Sequence, residues 1–128
     1  MNYKSKPIYL DYNATTPIDP DVREAMLPYL EKHFGNPSSS YAYGQRAKEA
    51  VDKARRQVAA LIGATPEEIV FTSGGSESNN HAITGVALAN AQEGKHIITS
   101  CIEHPAVINP CRYLEEGLGF NVSHLPVD

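Results

Sequence analysis

The sequence predicts an α/β fold built from parallel βαβ units, and three observations carry that reading. Short runs rich in β-branched residues, Ile69-Val70-Phe71-Thr72 and His96-Ile97-Ile98-Thr99-Ser100, alternate with longer stretches of helical periodicity. Both runs are apolar with little alternation, which suits strands covered on both faces. A Gly pair, in Ser73-Gly74-Gly75-Ser76, lies between the first run and the helical stretch after it. Strand, helix, strand, helix, strand in this order calls for right-handed crossovers and a parallel sheet.

Ile8-Tyr9-Leu10 is a short apolar stretch and a strand candidate, broken by the turn-formers from Asp11 to Pro17. Asp19 before Pro20 reads as an N-cap and first helical position. Val22, Met26, Leu27 and Leu30 extend that helix toward His33, with Pro28 expected to kink it or end it early. Gly35 to Ser40 is a loop. From Tyr43 to Ile62, the residues Ala47, Val51, Ala54, Val58 and Leu61 step along one face, and Gly63 is the expected stop. Thr65-Pro66-Glu67-Glu68 is a capped turn. After the Gly pair, Ala82, Ile83, Val86, Ala87 and Ala89 mark a helix expected to end at Gly94. Pro105 and Asn109-Pro110 both read as helix starts, with Leu114 and Leu118 facing inward. Phe120-Asn121-Val122-Ser123 alternates as a third strand.

Composition bounds the function. The chain has 128 residues, 41% hydrophobic and 20% charged, which suits one globular domain. Its net charge is −4, with basic residues interspersed and no basic stripe, so nucleic acid is a poor partner. The apolar runs fall far short of a membrane span, and no apolar segment of secretory type follows the first lysines. Cys101 and Cys111 share no metal-finger or C-x-x-C spacing, which fits a reducing cytoplasm. Three parallel strands make a thin sheet, so residues 1–128 read as a single partial domain.

Chemistry concentrates at the glycine turn. A helix N-terminus presents unpaired N–H groups and the positive end of a dipole, glycines admit an anion to the backbone, and the Ser76 hydroxyl adds a donor. A plain tight turn capped by Ser76 accounts for the local pattern equally well. No lysine follows as in a P-loop, and dinucleotide-type glycine spacing is absent. Glu103-His104-Pro105 follows the next strand, at the same expected sheet edge. An imidazole there could lie on an aromatic cofactor and shuttle protons. Taken alone it reads better as a surface histidine before a helix-starting proline, and the shared edge shifts the balance. A Cys101 thiolate paired with His104 is a further option, although a packed thiol explains Cys101 more simply. Cys111 falls within a helix and reads as structural. A Cys101/His104 metal site lacks two further ligands.

Four blocks, in order, resemble the cysteine desulfurases of the NifS/IscS type. They are Tyr9-Leu10-Asp11-Tyr12-Asn13-Ala14-Thr15-Thr16-Pro17, Phe34-Gly35-Asn36-Pro37-Ser38-Ser39, Ile69 to Asn80, and Gly94 to Ser100 with Glu103-His104. The resemblance implies fold type I of the pyridoxal phosphate (PLP) enzymes, class V aminotransferase family, with a three-layer α/β/α large domain. Residues 1–34 would form an N-terminal arm and helix, and residues 35–128 the start of the PLP-binding domain. It implies that Gly75 and Ser76 bind the PLP phosphate, with Ser76 keeping the hydroxyl of the threonine usual there. It implies that His104 stacks on the pyridine ring and assists proton transfer. Asn13, Ala14 and Thr15 resemble a segment near the substrate entrance. The implied reaction takes sulfur from L-cysteine, leaving alanine and a persulfide for iron–sulfur cluster or thio-cofactor assembly through an acceptor or scaffold protein. The implied assembly is a homodimer.

Such an enzyme also needs a lysine to anchor PLP, a carboxylate at the pyridine nitrogen and a cysteine to accept sulfur. None of Lys4, Lys6, Lys32, Lys48, Lys53 and Lys95 lies in the family's Ser-His-Lys context, so the chain alone is expected to be inactive. Two alternatives stay open: a non-catalytic module that binds a phosphate ligand or partner, and another class V enzyme such as a selenocysteine lyase.

Overall fold

A computed structural model describes residues 8–128. The elements run α1 (Pro20–Glu31), α2 (Ala42–Ile62), a single 3-10 turn (Pro66–Glu68), α3 (Gly75–Ala89), β1 (His96–Ser100), α4 (Pro105–Leu118) and β2 (Asn121–Leu125). The chain divides into two compact units, Met1–Ile69 and Val70–Asp128.

In the first unit, Asp19 caps α1 by accepting from the Asp21 N–H at 2.8 Å. Pro28 does not end the helix. It forfeits its own donor, yet its carbonyl accepts from both Lys32 and His33, at 3.0 and 2.8 Å, and closes the last turn. The loop before α2 is shaped by close approach. A Cβ on Gly44 would run into the carbonyl oxygens of Ser39 and Asn36, so only glycine lets the first turn of α2 sit on that loop. Gly63 stops α2 in the left-handed conformation, with φ 70°, and its N–H returns to the Ala59 carbonyl. Gly44, Ala47 and Ala59 are the buried positions of α2, whereas Leu61, expected on the inner face, is 85% exposed. α1 and α2 border an open apolar hollow of about 760 Å³ lined by residues that include Val22, Met26, Tyr29 and Val51. Thr65 and Glu68 form a reciprocal capping box around the 3-10 turn, and Arg55 donates to the carbonyl of Ile69 at its exit.

In the second unit, β1 and β2 pair in parallel from His96↔Asn121 to Ser100↔Leu125, and α4 is the crossover between them. The ladder extends one step further, where the Cys101 N–H donates to the Leu125 carbonyl at 3.0 Å. α3 packs on α4, and α4 on β2. Cys111, Leu114 and Phe120 are buried here, with Leu114 at 0% exposure.

Four further expectations are corrected. Ile8-Tyr9-Leu10 forms no strand, and Leu10 stands 84% exposed. Ile69 to Thr72 also forms no strand: no ladder among the described residues pairs with it, and Val70 and Phe71 remain 60% and 47% exposed. α3 stops at Ala89 rather than Gly94, because the Asn90 side chain donates to the Val86 carbonyl at 2.8 Å and the chain then turns, with Gly94 N–H on the Asn90 carbonyl. Asn109-Pro110 starts no second helix. α4 runs through Pro110, since Pro110, Cys111 and Leu114 are buried on one side and their burial outweighs one lost backbone bond.

Burial makes a direct prediction. Leu114→Ala lowers the stability of the chain by roughly 2–5 kcal/mol, while Val86→Ala, at a position 65% exposed, stays within about 0.5 kcal/mol. Urea unfolding of the two variants checks the contrast.

Candidate functional site

The turn before α3 is held by its own side chains. Gly74 is the N-cap residue and brings no side-chain cap. The cap function passes to Glu77, whose Oε2 accepts from both the Ser73 N–H, at 2.7 Å, and the Ser73 hydroxyl, at 2.6 Å. This resembles half of a capping box displaced by one residue, since the carboxylate reaches past the N-cap to the residue before it. Thr72 Oγ1 and Ser78 Oγ lie 2.6 Å apart, and both hydroxyls reach the Gly74 carbonyl, at 3.3 and 3.2 Å. The Ser73 hydrogen bonds, and then the charge of His81, hold the Glu77 carboxyl below the usual range, so it is ionised at neutral pH.

The donors left over define the site. Ser78 N–H begins the helical ladder by donating to the Gly74 carbonyl at 3.0 Å. The N–H groups of Gly75, Ser76 and Glu77 precede that bond and have no intrahelical acceptor. Among the described residues, no hydrogen bond uses the Ser76 hydroxyl. A Cβ built on Gly74 or Gly75 meets nothing within 4 Å, so the approach to these donors is open. Gly75 and Ser76 thus stand where an anion would meet bare N–H groups, a hydroxyl and the positive end of the α3 dipole.

His104 lies at the N-cap of α4. Its Nδ1 accepts from the Ala106 N–H at 3.0 Å, and Pro105 occupies the first helical position. That bond fixes the tautomer: the neutral ring carries its proton on Nε2, and the exposed ring face and Nε2 are free for other work. Gly75, Ser76 and His104 therefore open two helices of one unit, and those helices pack on each other. Asn13, Ala14 and Thr15 lie in the first unit, in an exposed turn closed by Ala14 N–H on the Asp11 carbonyl at 3.1 Å. The Tyr9 hydroxyl ties the ends of that turn by reaching the Asp11 and Thr15 carbonyls.

The remaining candidates separate cleanly. Cys111 is buried in α4, and burial, followed by the charges of Glu103 and Glu115, pushes its thiol up, so it stays protonated and unreactive. Cys101 is exposed after β1. Among the described residues no cluster of His, Cys, Asp or Glu is gathered for a metal ion. Lys48 pairs with Asp52 at 2.6 Å on α2, and Lys95 lies over the Phe120 ring. The sequence places Glu77 at the end of the glycine turn and Ser78 just after it, but gives neither side chain a role of its own. A capping box has the glutamate three residues after the hydroxyl, and here the spacing from Ser73 is four, so the pattern does not register.

A family model described as aminotransferase class-V matches residues 8–128. The chain belongs to the aminotransferase class-V family. Enzymes of this family use PLP. The cysteine desulfurase IscS of Dictyoglomus turgidum is 54% identical over 123 residues, covering 96% of this chain and 31% of the relative. Among solved structures, a NifS-like protein superposes with a TM-score of 0.84 at 40% identity, covering 94% of this chain and 33% of its own. A structure described as SspA in complex with cysteine superposes with a TM-score of 0.80 at 46% identity, covering 91% and 33%. The class-V chain thus spans about a third of the length of the relatives it matches. The likeness to solved structures supports the α/β fold with parallel strands.

The Glu77 contacts carry a pH dependence. Because folding lowers its pKa, the contribution of the Ser73–Glu77 bonds is complete above the ordinary glutamate range and is lost as pH falls through the lower folded value. A carbon NMR titration is expected to place the Glu77 midpoint below that of an unperturbed glutamate, with the Ser73 amide shift moving in step. An ordinary midpoint with a static Ser73 amide would show that the bond does not form in solution.

Proposed function

We propose that this chain supplies the phosphate-holding part of a PLP-dependent cysteine desulfurase. The observation that carries the reading is 54% identity to a cysteine desulfurase across 96% of the chain, in which the anion-ready first turn of α3 and the His104 cap of α4 are both formed. Gly75 and Ser76 would take the PLP phosphate on two N–H groups and a hydroxyl. His104 would lay its ring against the pyridine and present its Nε2–H as a hydrogen-bond donor, and assisting proton transfer would require Nδ1 to release the Ala106 N–H and take up the proton itself. PLP, once bound, supplies the electron sink that lets bonds near the amino acid's α-carbon break.

L-cysteine is the proposed substrate, alanine and a persulfide the proposed products, and an acceptor or scaffold protein of iron–sulfur or thio-cofactor assembly the proposed recipient. Residues 35–128 would form the start of the PLP domain, with Asn13, Ala14 and Thr15 near the substrate entrance. A homodimer in the cytoplasm completes the reading. No described helix is long and apolar enough to cross a membrane. The reading requires an anchoring lysine and a sulfur-accepting cysteine from the other two thirds of a protein of the relatives' length. It also gives the exposed apolar residues of α1, α3 and β1, such as Leu30, Val86 and Ile98, surfaces to pack against.

The test joins this chain to the remaining two thirds of the Dictyoglomus turgidum relative. The product is expected to bind PLP with visible absorbance and to release sulfide and alanine in equal amounts from L-cysteine with a reductant. A colourless, inert but folded product overturns the reading. In the active product, His104→Gln is expected to lower kcat by roughly 10²–10⁴-fold while PLP stays bound, as steady-state kinetics and absorbance together would show.

A further inference from the structure

We propose that Glu77 is the positioning residue of the phosphate turn: by taking both donors of Ser73 it fixes the Thr72–Gly74 backbone and leaves the Gly75 and Ser76 N–H groups and the Ser76 hydroxyl as the anion's donors. The inference rests on the reading of this turn as the PLP phosphate site.

The geometry separates two sets of groups. Thr72, Ser73 and Gly74, the three residues ahead of the helix, are each tied to Glu77 or Ser78 in its first turn. Gly75 and Ser76, between the two tied groups, take no part in these side-chain bonds. A backbone segment pinned on both sides of its free donors loses little freedom when an anion arrives, and that lowers the entropic cost of binding. Hydrogen bonds to an ionised acceptor are the strong kind, and Glu77 makes two of them with a single oxygen.

The sign of the charge makes the arrangement informative. A carboxylate beside a phosphate site repels its ligand, so a free Glu77 in the first turn would oppose binding. With Oε2 held on Ser73, its charge is partly spent on two donors. Ser73, with both donors occupied, is at the same time removed from competition for the phosphate. The Glu77 side chain is exposed, so packing gives no reason for it to be there, and its replacement leaves the buried residues untouched.

Amide NMR of the full chain, titrated with PLP, pyridoxal and inorganic phosphate, tests this. In the unmodified chain the Gly75 and Ser76 amides are expected to shift with PLP and not with pyridoxal, which lacks the phosphate. Glu77→Ala is expected to weaken PLP binding roughly tenfold, to leave pyridoxal unaffected and to speed exchange of the Ser73 amide. Glu77→Gln, whose amide oxygen can accept both Ser73 bonds, should recover most of the loss. Ser73→Ala removes one of the two bonds and is expected to cost about threefold; it carries the test if Glu77→Ala does not fold. Gly75 and Ser76 amides that ignore PLP both in this chain and in the joined, lysine-bearing product overturn the cofactor reading and this inference together. Phosphate-dependent shifts in the unmodified chain, with unchanged or tighter PLP binding in Glu77→Ala, overturn the positioning role alone.

Discussion

The parallel ladder between β1 and β2 is the constraint from which the second unit follows. Parallel neighbours cannot be joined by a tight turn, so the chain must cross back, and α4 is that crossing. The crossing has to begin at the carboxyl end of β1, which is where ligands meet open α/β sheets. His104 stands at that start. Its position is therefore a product of topology, and its orientation a product of one bond, Nδ1 to the Ala106 N–H. The packing that holds α4 down is equally local: Pro110, Cys111 and Leu114 are buried along it.

A second constraint acts at α3. A helix opened by two glycines has no side chain at its N-cap to satisfy its first donors. The chain answers by reaching backward, with Glu77 and Ser78 tying down the segment that leads in and leaving Gly75 and Ser76 uncommitted. Structural order and chemical availability are thus assigned to different residues of one turn. On the proposed reading this division has a purpose, because the cofactor of the aminotransferase class-V family carries a phosphate that would take such donors.

What was legible in the sequence follows from how local each signal is. The start of α1 at Asp19-Pro20, the Gly63 stop and the Thr65–Glu68 capping box are set by near neighbours, and all three form where the residues predict them. β1 was readable because its apolar run is bounded by turns. The Ile69–Thr72 run is as apolar, yet a strand exists only beside another strand, and no ladder among the described residues includes it. Pro110 misleads for the opposite reason: its helix-breaking tendency is local, while the burial that overrides it is tertiary. At the site, the donor pair Gly75 and Ser76 and the histidine were visible as residue types. The Glu77–Ser73 bonds were not, since their spacing misses the capping-box pattern by one residue.

The central claim is that the first turn of α3 holds the phosphate of PLP. The most direct measurement is an experimental structure of PLP bound to the active product of joining this chain to its relative's remainder. The account predicts phosphate oxygens within hydrogen-bond distance of the Gly75 and Ser76 N–H groups and the Ser76 hydroxyl, with Glu77 still on Ser73 and the His104 ring against the pyridine. A phosphate seated away from this turn, or one bound directly by Ser73 with Glu77 displaced, would contradict it.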